Sequence, residues 1–255
     1  MSPATSKPSV SFIVPALNEE RHIEKTVATI LEAVAASGVS DYQIVLVNDG
    51  STDATGRIMD QVAATREGKI QVVHNERNTG FGGAYKRGVT VARCDYVMIV
   101  AGDNLMPATS ITTVLNQLGK ADIILPYMAD ANQRPFGRRV GSWGFATVIN
   151  TLFGFHIHYY NSMVPRRALL NKITINTEGY ALQAETIVKL LKAGYTYAEI
   201  GVPHGMTIRG GSSALRVKNL VNLFKDLCAL MKEVRRPGAI PAHVPAESTA
   251  GADKR

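Results

Sequence analysis

Cysteine is nearly absent: Cys94 and Cys228 are the only two in 255 residues, far apart and in no metal-ligand or redox spacing. That excludes a disulfide framework and fits a reducing compartment, or carries no compartment signal at all; a cytoplasmic chain is the expectation. Long apolar runs are missing as well. No stretch of about 18 apolar residues occurs, so the sequence offers no spanning helix, and MSPATSKPSV lacks the apolar core of a secretory signal. Acid is scarcer than base, and the formal net charge of +7 favours anionic partners: phosphates, nucleotides, an anionic bilayer or nucleic acid. Nucleic acid is set aside, because no reader motif or aromatic-basic interleaving accompanies the charge. No G-K-[ST] is present, which excludes a Walker loop. One further gap is local. In VMIVAGDN, Ala101 stands where a D-x-D pair at a strand end has its first aspartate, leaving Asp103 alone.

What is there is enough for one large domain: 45% of the residues are apolar and 19% charged, which excludes a disordered chain. Short β-rich runs alternate with helical patterns through the first half. VSFIVP, YQIVLVN, IQVVHN, YVMIVA and ADIILP read as five buried strands, with helices expected at Glu19–Ala36 and Gly82–Ala92. Continuous apolar strands with crossover helices imply a parallel sheet covered on both faces, and such sheets bind ligands at their carboxyl ends. After Pro126 the pattern changes. Tyr127–Gly141 reads as a basic loop, Ser142–Phe153 as an apolar helix around the single Trp143, and Glu178–Ala193 as another helix. YTYAEIGVP follows as a strand, HGMTIRGGSS as a glycine-rich basic loop, and Arg216–Arg236 as a long amphipathic helix. Residues 1–9 and the Ala/Pro/Gly-rich 237–255 are expected to be disordered around one domain, 10–236. That domain divides after Pro126 into two halves, 10–126 and 127–236.

The unusual residues gather where the strands end. VPALNEE puts Pro15 at a strand stop and Asn18 and Glu19 at a helix start, which offers free N–H groups or simply a cap. In VNDGSTD, Asp49 can accept from a base N–H or make a plain Asx turn, while Ser51, Thr52 or Asp53 can cap the next helix. NTGFGGAYKRG, with Gly80, Gly82 and Gly83, lets the backbone approach a ligand closely; Lys86 and Arg87 read as diphosphate ligands or as a solvated face. Asp103, beside Gly102, suits a hard divalent cation that keeps waters and takes one or two carboxylates plus phosphate oxygens. His156 and His158 fall on one face if HIHYY is a strand, either as a metal pair or as ordinary histidines.

In this order IVPALNEE, LVNDGSTD, NTGFGGAYKRG and VAGDN resemble four successive signatures of family 2 glycosyltransferases. The later GYALQAETIVKLLKAGYTYAEIGVPHGMTIRGGSS is similar to the corresponding region of polyprenyl-phosphate (dolichyl-phosphate) sugar synthases. The resemblance runs from Val10 to Arg236 and implies a GT-A fold, with 10–126 as the nucleotide-sugar half and 127–236 as the acceptor half. The fold is an α/β, Rossmann-like, mostly parallel sheet flanked by helices, with a C-terminal acceptor-side helical segment. It implies an inverting transfer from a nucleoside-diphosphate sugar to a polyprenyl phosphate at a membrane surface, with Mg2+ or Mn2+. Pro15, Asn18, Glu19, Asp49, Asn78 and Gly80 would then border the nucleotide, and Asp103 would hold the metal. Glu185 would face the sugar or metal, with Arg209 as a further catalytic residue; Arg134, Arg138, Ser213 and Lys218 would meet acceptor or donor phosphate. Three positions depart from the pattern: Ala101 and Asn48 stand where aspartates are common, and Ala214 where a lysine is.

Two other readings remain open at this level. With a soluble hydroxyl acceptor, Glu185 would be the required base. A non-catalytic nucleotide-sugar-binding protein would make sense of Ala101. A lipid acceptor calls for peripheral membrane binding or a membrane partner protein. Ser142–Phe155 and Arg216–Arg236 each have the pattern of a helix in the headgroup layer, and equally of one whose stripe faces the core.

Overall fold

A computed structural model describes residues 7–129, 136–158, 162–177, 179, 181–203 and 217–236; at 136–139 and 217–225 it describes the backbone alone. Strands β1 (Val10–Ala16), β2 (Tyr42–Asn48), β3 (Ile70–His74) and β4 (Tyr96–Ile99) form a wholly parallel sheet in the order β3-β2-β1-β4. β1 and β4 are buried along their whole length and β2 is buried beyond its first residue, which is why they read as continuous apolar runs. Side chains alternate between two cores. Phe12, Val14, Ile44, Leu46 and Met98 meet α1 (Ile23–Ser37), α2 (Thr55–Ala64) and α4 (Ala108–Leu115). Ile13, Val45, Val47, Val97 and Ile99 meet α3 (Gly80–Val89), α5 (Phe136–Phe153), α7 (Leu182–Lys192) and α8 (Val217–Val234). A Cβ at Gly88 would collide with Ile13, so α3 lies close on β1.

A second sheet continues the first. β5 (Ile123–Met128) pairs in parallel with β7 (Tyr197–Val202) and antiparallel with the short β6 (Val164–Pro165), which runs into α6 (Arg167–Leu170). One antiparallel bridge, Tyr96 to Arg166, joins β4 to this sheet, so β4 and β5 point the same way and their carboxyl ends share one rim. Arg166 adds a cation–π contact over the Tyr96 ring and an ion pair with Asp122 at 3.3 Å.

Several expected boundaries move. The first helix starts at Ile23 instead of Glu19, because the N–H groups of Glu19 and Glu20 bond to Thr55 and Asp53 across the neighbouring loop. α3 starts at Gly80, two residues earlier than expected, and α7 spans Leu182–Lys192. α5 begins at Phe136, so the expected basic loop is helical from there. β6, with two residues, is too short for a periodicity to reveal. Of residues 1–9, expected to be disordered, Lys7 and Ser9 are instead fixed by hydrogen bonds to Asn116 and Asp95, while 1–6 and 237–255 lie outside the described residues.

Candidate active site at the strand ends

The carboxyl ends of β1, β2 and β4 are held level by backbone hydrogen bonds: Asp49 N–H donates to Ala16 O at 3.0 Å and Gly102 N–H to Pro15 O at 3.0 Å. Pro15, Asp49 and Asp103 are thereby brought to one edge, with Asn18 and Glu19 in the loop beyond β1. A Cβ on Gly102 would lie 2.7 Å from Ala16 Cβ, so only glycine permits this approach.

Asp49 is buried, and its carboxylate is fully engaged. Oδ1 accepts from Asn75 Nδ2 (2.8 Å), Thr79 N–H (2.9 Å) and Thr79 Oγ1 (2.7 Å), while Oδ2 accepts from Gly80 N–H (2.9 Å). The carboxylate thus caps α3 from outside the helix, and Asn78 Oδ1 shares the Gly80 N–H at 2.8 Å. Gly50, at φ 72°, sits directly under Arg77 and Asn78, where a Cβ would fall 2.7 Å from backbone atoms. The DGS turn and the glycine-rich loop are therefore stacked on one another.

The β1–α1 and β2–α2 loops interlock as well. Asn18, at φ 56°, donates its N–H to Ser51 Oγ and accepts from Thr52 N–H at 2.9 Å. Glu19 N–H donates to Thr55 Oγ1 at 2.8 Å, Glu20 N–H donates to Asp53, and Glu20 accepts from Ala54 N–H. Of the three residues read as caps, Asp53 bonds the first N–H of α2, that of Thr55, at 2.9 Å. Asn48 explains its own departure from the aspartate pattern. Its Oδ1 accepts from Ser51 N–H while its Nδ2 donates to His74 Nδ1, leaving His74 Nε2 to donate to Asp60. An amide serves both roles; a carboxylate cannot donate.

Asp103 differs from these groups. It is half-buried, its Oδ1 accepts from Leu105 N–H at 3.1 Å, and its Oδ2 has no partner among the described residues. The following Asn104, at φ 54°, is held by Thr29 Oγ1 at 2.9 Å. One uncommitted carboxylate oxygen at a strand end fits Mg2+ or Mn2+ completed by phosphate oxygens and water. No group of three or more His, Cys, Asp or Glu able to hold a metal occurs among the described residues. Leu17 and Phe81, both partly exposed, flank this edge.

Glu185 lies elsewhere, on α7 and 3% exposed. Oε1 accepts from Asn176 N–H (2.9 Å) and meets Lys189 Nζ at 2.7 Å; Oε2 accepts from Thr177 N–H (2.8 Å). Lys189 Nζ completes its three donations with Thr174 O and Glu233 Oε1, each at 2.7 Å, and so ties α7 to α8. Burial pushes the Glu185 carboxyl up, but Lys189 and the two backbone donors outweigh it and leave the group below the ordinary range. The sugar-facing carboxylate implied by the resemblance is here an inward one. Burial and the Glu185 charge raise nearby Asp226.

His156 and His158 are not in a strand. His158 stacks on Tyr127, ring centroids 4.6 Å apart, and its Nδ1 lies 3.1 Å from Glu199. Arg138 and Lys218 are placed by their helices alone, near the starts of α5 and α8, whereas Arg134, Arg209, Ser213 and Glu178 lie outside the described residues. Sequence reasoning missed Asn75, Thr79, Lys189 and Glu233. Lys189, four residues after Glu185, carries the Glu-to-Lys spacing of a helical ion pair; the others have no local signal.

A dodecaprenyl-phosphate galacturonate synthase of Rhizobium johnstonii is 25% identical over 240 residues, covering 90% of this chain and 69% of its own. A dolichyl-phosphate beta-glucosyltransferase of Dictyostelium discoideum is 23% identical over 238 residues, covering 86% of this chain and 72% of its own. A solved mannosyltransferase from Pyrobaculum calidifontis, in complex with GDP-Man and Mn2+, aligns at TM-score 0.63 and 20% identity, over 88% of this chain and 65% of that one. The fold is GT-A. The model of Glycosyl transferase family 2 matches residues 11–189, from β1 to α7, and the chain belongs to that family.

Proposed function

We propose that this glycosyltransferase moves a sugar from a nucleoside-diphosphate sugar to a polyprenyl phosphate, with inversion at the anomeric carbon. The similar galacturonate and glucosyl transferases, whose names carry the same acceptor class, support the reading. The observation that carries it is Glu185. A hydroxyl acceptor needs a base near the attacking oxygen, whereas a lipid phosphate is already ionised and needs none. Both oxygens of Glu185 are engaged by Lys189, Asn176 and Thr177, so the carboxylate on which the hydroxyl reading depends is not available as a base.

An acceptor phosphate oxygen forms the new bond to the anomeric carbon while the bond to the donor diphosphate breaks, and the nucleoside diphosphate departs with the electron pair. Asp103 would hold Mg2+ or Mn2+, which neutralises charge on the leaving diphosphate. Pro15, Asn18 and Glu19 border the nucleotide. Asp49 acts on it through the loop it fixes, presenting Asn78 and Gly80. Arg134, Arg138, Arg209, Ser213 and Lys218 are assigned to phosphate on the resemblance.

The test supplies labelled nucleotide sugars with polyprenyl phosphate in vesicles and Mg2+ or Mn2+, and counts label extracted into organic solvent. Label in the lipid phase, lost with EDTA and reduced about 100-fold or more in Asp103→Ala, is the expected result. Transfer to a soluble hydroxyl compound, abolished by Glu185→Gln, overturns it.

A further inference from the structure

We infer that the exposed face of α5 docks on an anionic bilayer, a placement that rests on the lipid-linked acceptor proposed above. α5 has two apolar faces. Ala146, Ile149 and Phe153 are buried in the core, with Phe145 packed against it. Opposite them Val140, Trp143, Val148 and Leu152 are exposed by 49%, 72%, 47% and 38%, spread over the half of the helix turned away from the core. A methyl added at Gly141 or Gly144 would meet no atom of a described residue within 4 Å, so no described segment covers this face along its first turns. Between these apolar residues lie only Gly, Ser and Thr on the solvent side, and no charged residue occurs from Val140 to Phe155. A solvated helix face of this length ordinarily carries charges.

Charge and area choose the occupant. No Asp or Glu occurs from residue 131 to 177, whereas Arg138 and Arg139 stand in the first turn of α5. Lys192 lies over the Phe155 ring just past its end. Base thus stands at both ends of α5 with no acid between, which suits anionic headgroups. From Val140 to Leu152 the strip is about 18 Å long and one helix wide, on the order of 200 Å². A stable protein interface needs roughly 800 Å² per partner, so the strip is too small for a lasting dimer. It is adequate for a helix lying in the headgroup layer, where tryptophan favours the water boundary. No helix among the described residues is long and apolar enough to cross a membrane. The chain reaches α5 from the carboxyl end of β5, the same rim that carries Asp103, so docking here turns the site towards the lipid surface.

Trp143 is the only tryptophan, so its fluorescence reports the face directly. Adding vesicles of 3:1 phosphatidylcholine to phosphatidylglycerol to the full chain is expected to shift its emission to the blue, and neutral phosphatidylcholine vesicles to do so less. Val148→Asp and Leu152→Asp, both at exposed positions, should each weaken vesicle binding at least tenfold without changing the melting temperature. They should also lower transfer to vesicle-embedded long-chain polyprenyl phosphate at least tenfold, while transfer to a short-chain, water-soluble isoprenyl phosphate stays unchanged. No shift with anionic vesicles overturns the inference. So does a shift that grows with protein concentration without lipid, which marks a second copy, or one seen only with native membranes, which marks a membrane protein partner. Blue-shifted binding with no transfer to any isoprenyl phosphate leaves the docking face standing and removes the acceptor assignment instead.

Discussion

At the carboxyl ends of β1, β2 and β3, polar side chains meet backbone N–H groups; between α7 and α8 they meet one another. Asp49 accepts from two backbone N–H groups and two side chains, and Asn18, Glu19 and Asp53 join two loops in the same manner. Around Lys189, by contrast, Glu185 and Glu233 face one buried ammonium. The first arrangement is made of many bonds, each worth about 1 kcal/mol net, spread over three loops. The second concentrates its stability in one cation. The strand-end region should therefore tolerate single losses better than the helical region does.

Lys189→Met tests that contrast most strongly. Removing one partner of a buried ion pair leaves its charge uncompensated, and the expected loss at neutral pH is about 3–5 kcal/mol. The pH dependence should change sign. In the native protein the Glu185 carboxyl lies below its unfolded value, so its contribution is present above the unfolded pKa and is lost as pH falls through the folded one. Without Lys189 burial prevails, the carboxyl rises, and the variant should gain stability relative to wild type as pH falls. Asp226, raised by burial and by Glu185, already works in that direction in both proteins, so the difference between the two curves isolates Lys189. Melting temperatures from pH 4 to 8 would show it; parallel curves would mean the cluster is not coupled.

Asp49→Asn should cost less, about 1–3 kcal/mol. The new amide presents an N–H in place of one carboxylate oxygen, so either Thr79 N–H loses its acceptor or Gly80 N–H keeps only Asn78 Oδ1. The loss should fall on the loop and α3: faster amide exchange at Gly80 and weaker nucleotide binding, with β5 and β7 unaffected. Exchange that rises evenly through both sheets would show that the two regions do not separate.

The contrast also marks what the sequence could reveal. Strands β1 to β5 and the glycine-rich loop were legible because burial on both faces writes a continuous apolar run and because tight turns demand glycine. The strand-end residues were legible as a set of motifs, but the partners of Asp49 were not. Asn75 and Thr79 are close to it only because β3 lies beside β2, and no local pattern records that pairing. Glu185 shows the opposite problem. Its residue type and its place in the family pattern suggested a reacting carboxylate, whereas burial and Glu233, 48 positions away, decide its setting. Trp143 stood out by rarity, yet only the packed helix shows which of its two apolar faces is covered.

The smallest expected effect belongs to Ala101→Asp. Ala101 is half-exposed and two residues before Asp103, whose Oδ2 has no partner among the described residues. A second carboxylate at this spacing gives a divalent cation another hard oxygen ligand. The expected result is about tenfold tighter Mn2+ dependence, or about 1.4 kcal/mol, with the rate at saturating metal changed little. Titrating transfer against free Mn2+ measures it. The side chain replaces no hydrogen bond, so the unfolding free energy without metal should stay within about 0.5 kcal/mol of wild type. Tighter metal at unchanged stability would set Asp103 apart from its neighbours, as a group held open for a ligand among side chains that hold the fold. Unchanged metal dependence would place the cation away from β4 and return Asp103 to the role of a turn residue, alongside Asn18 and Asp53.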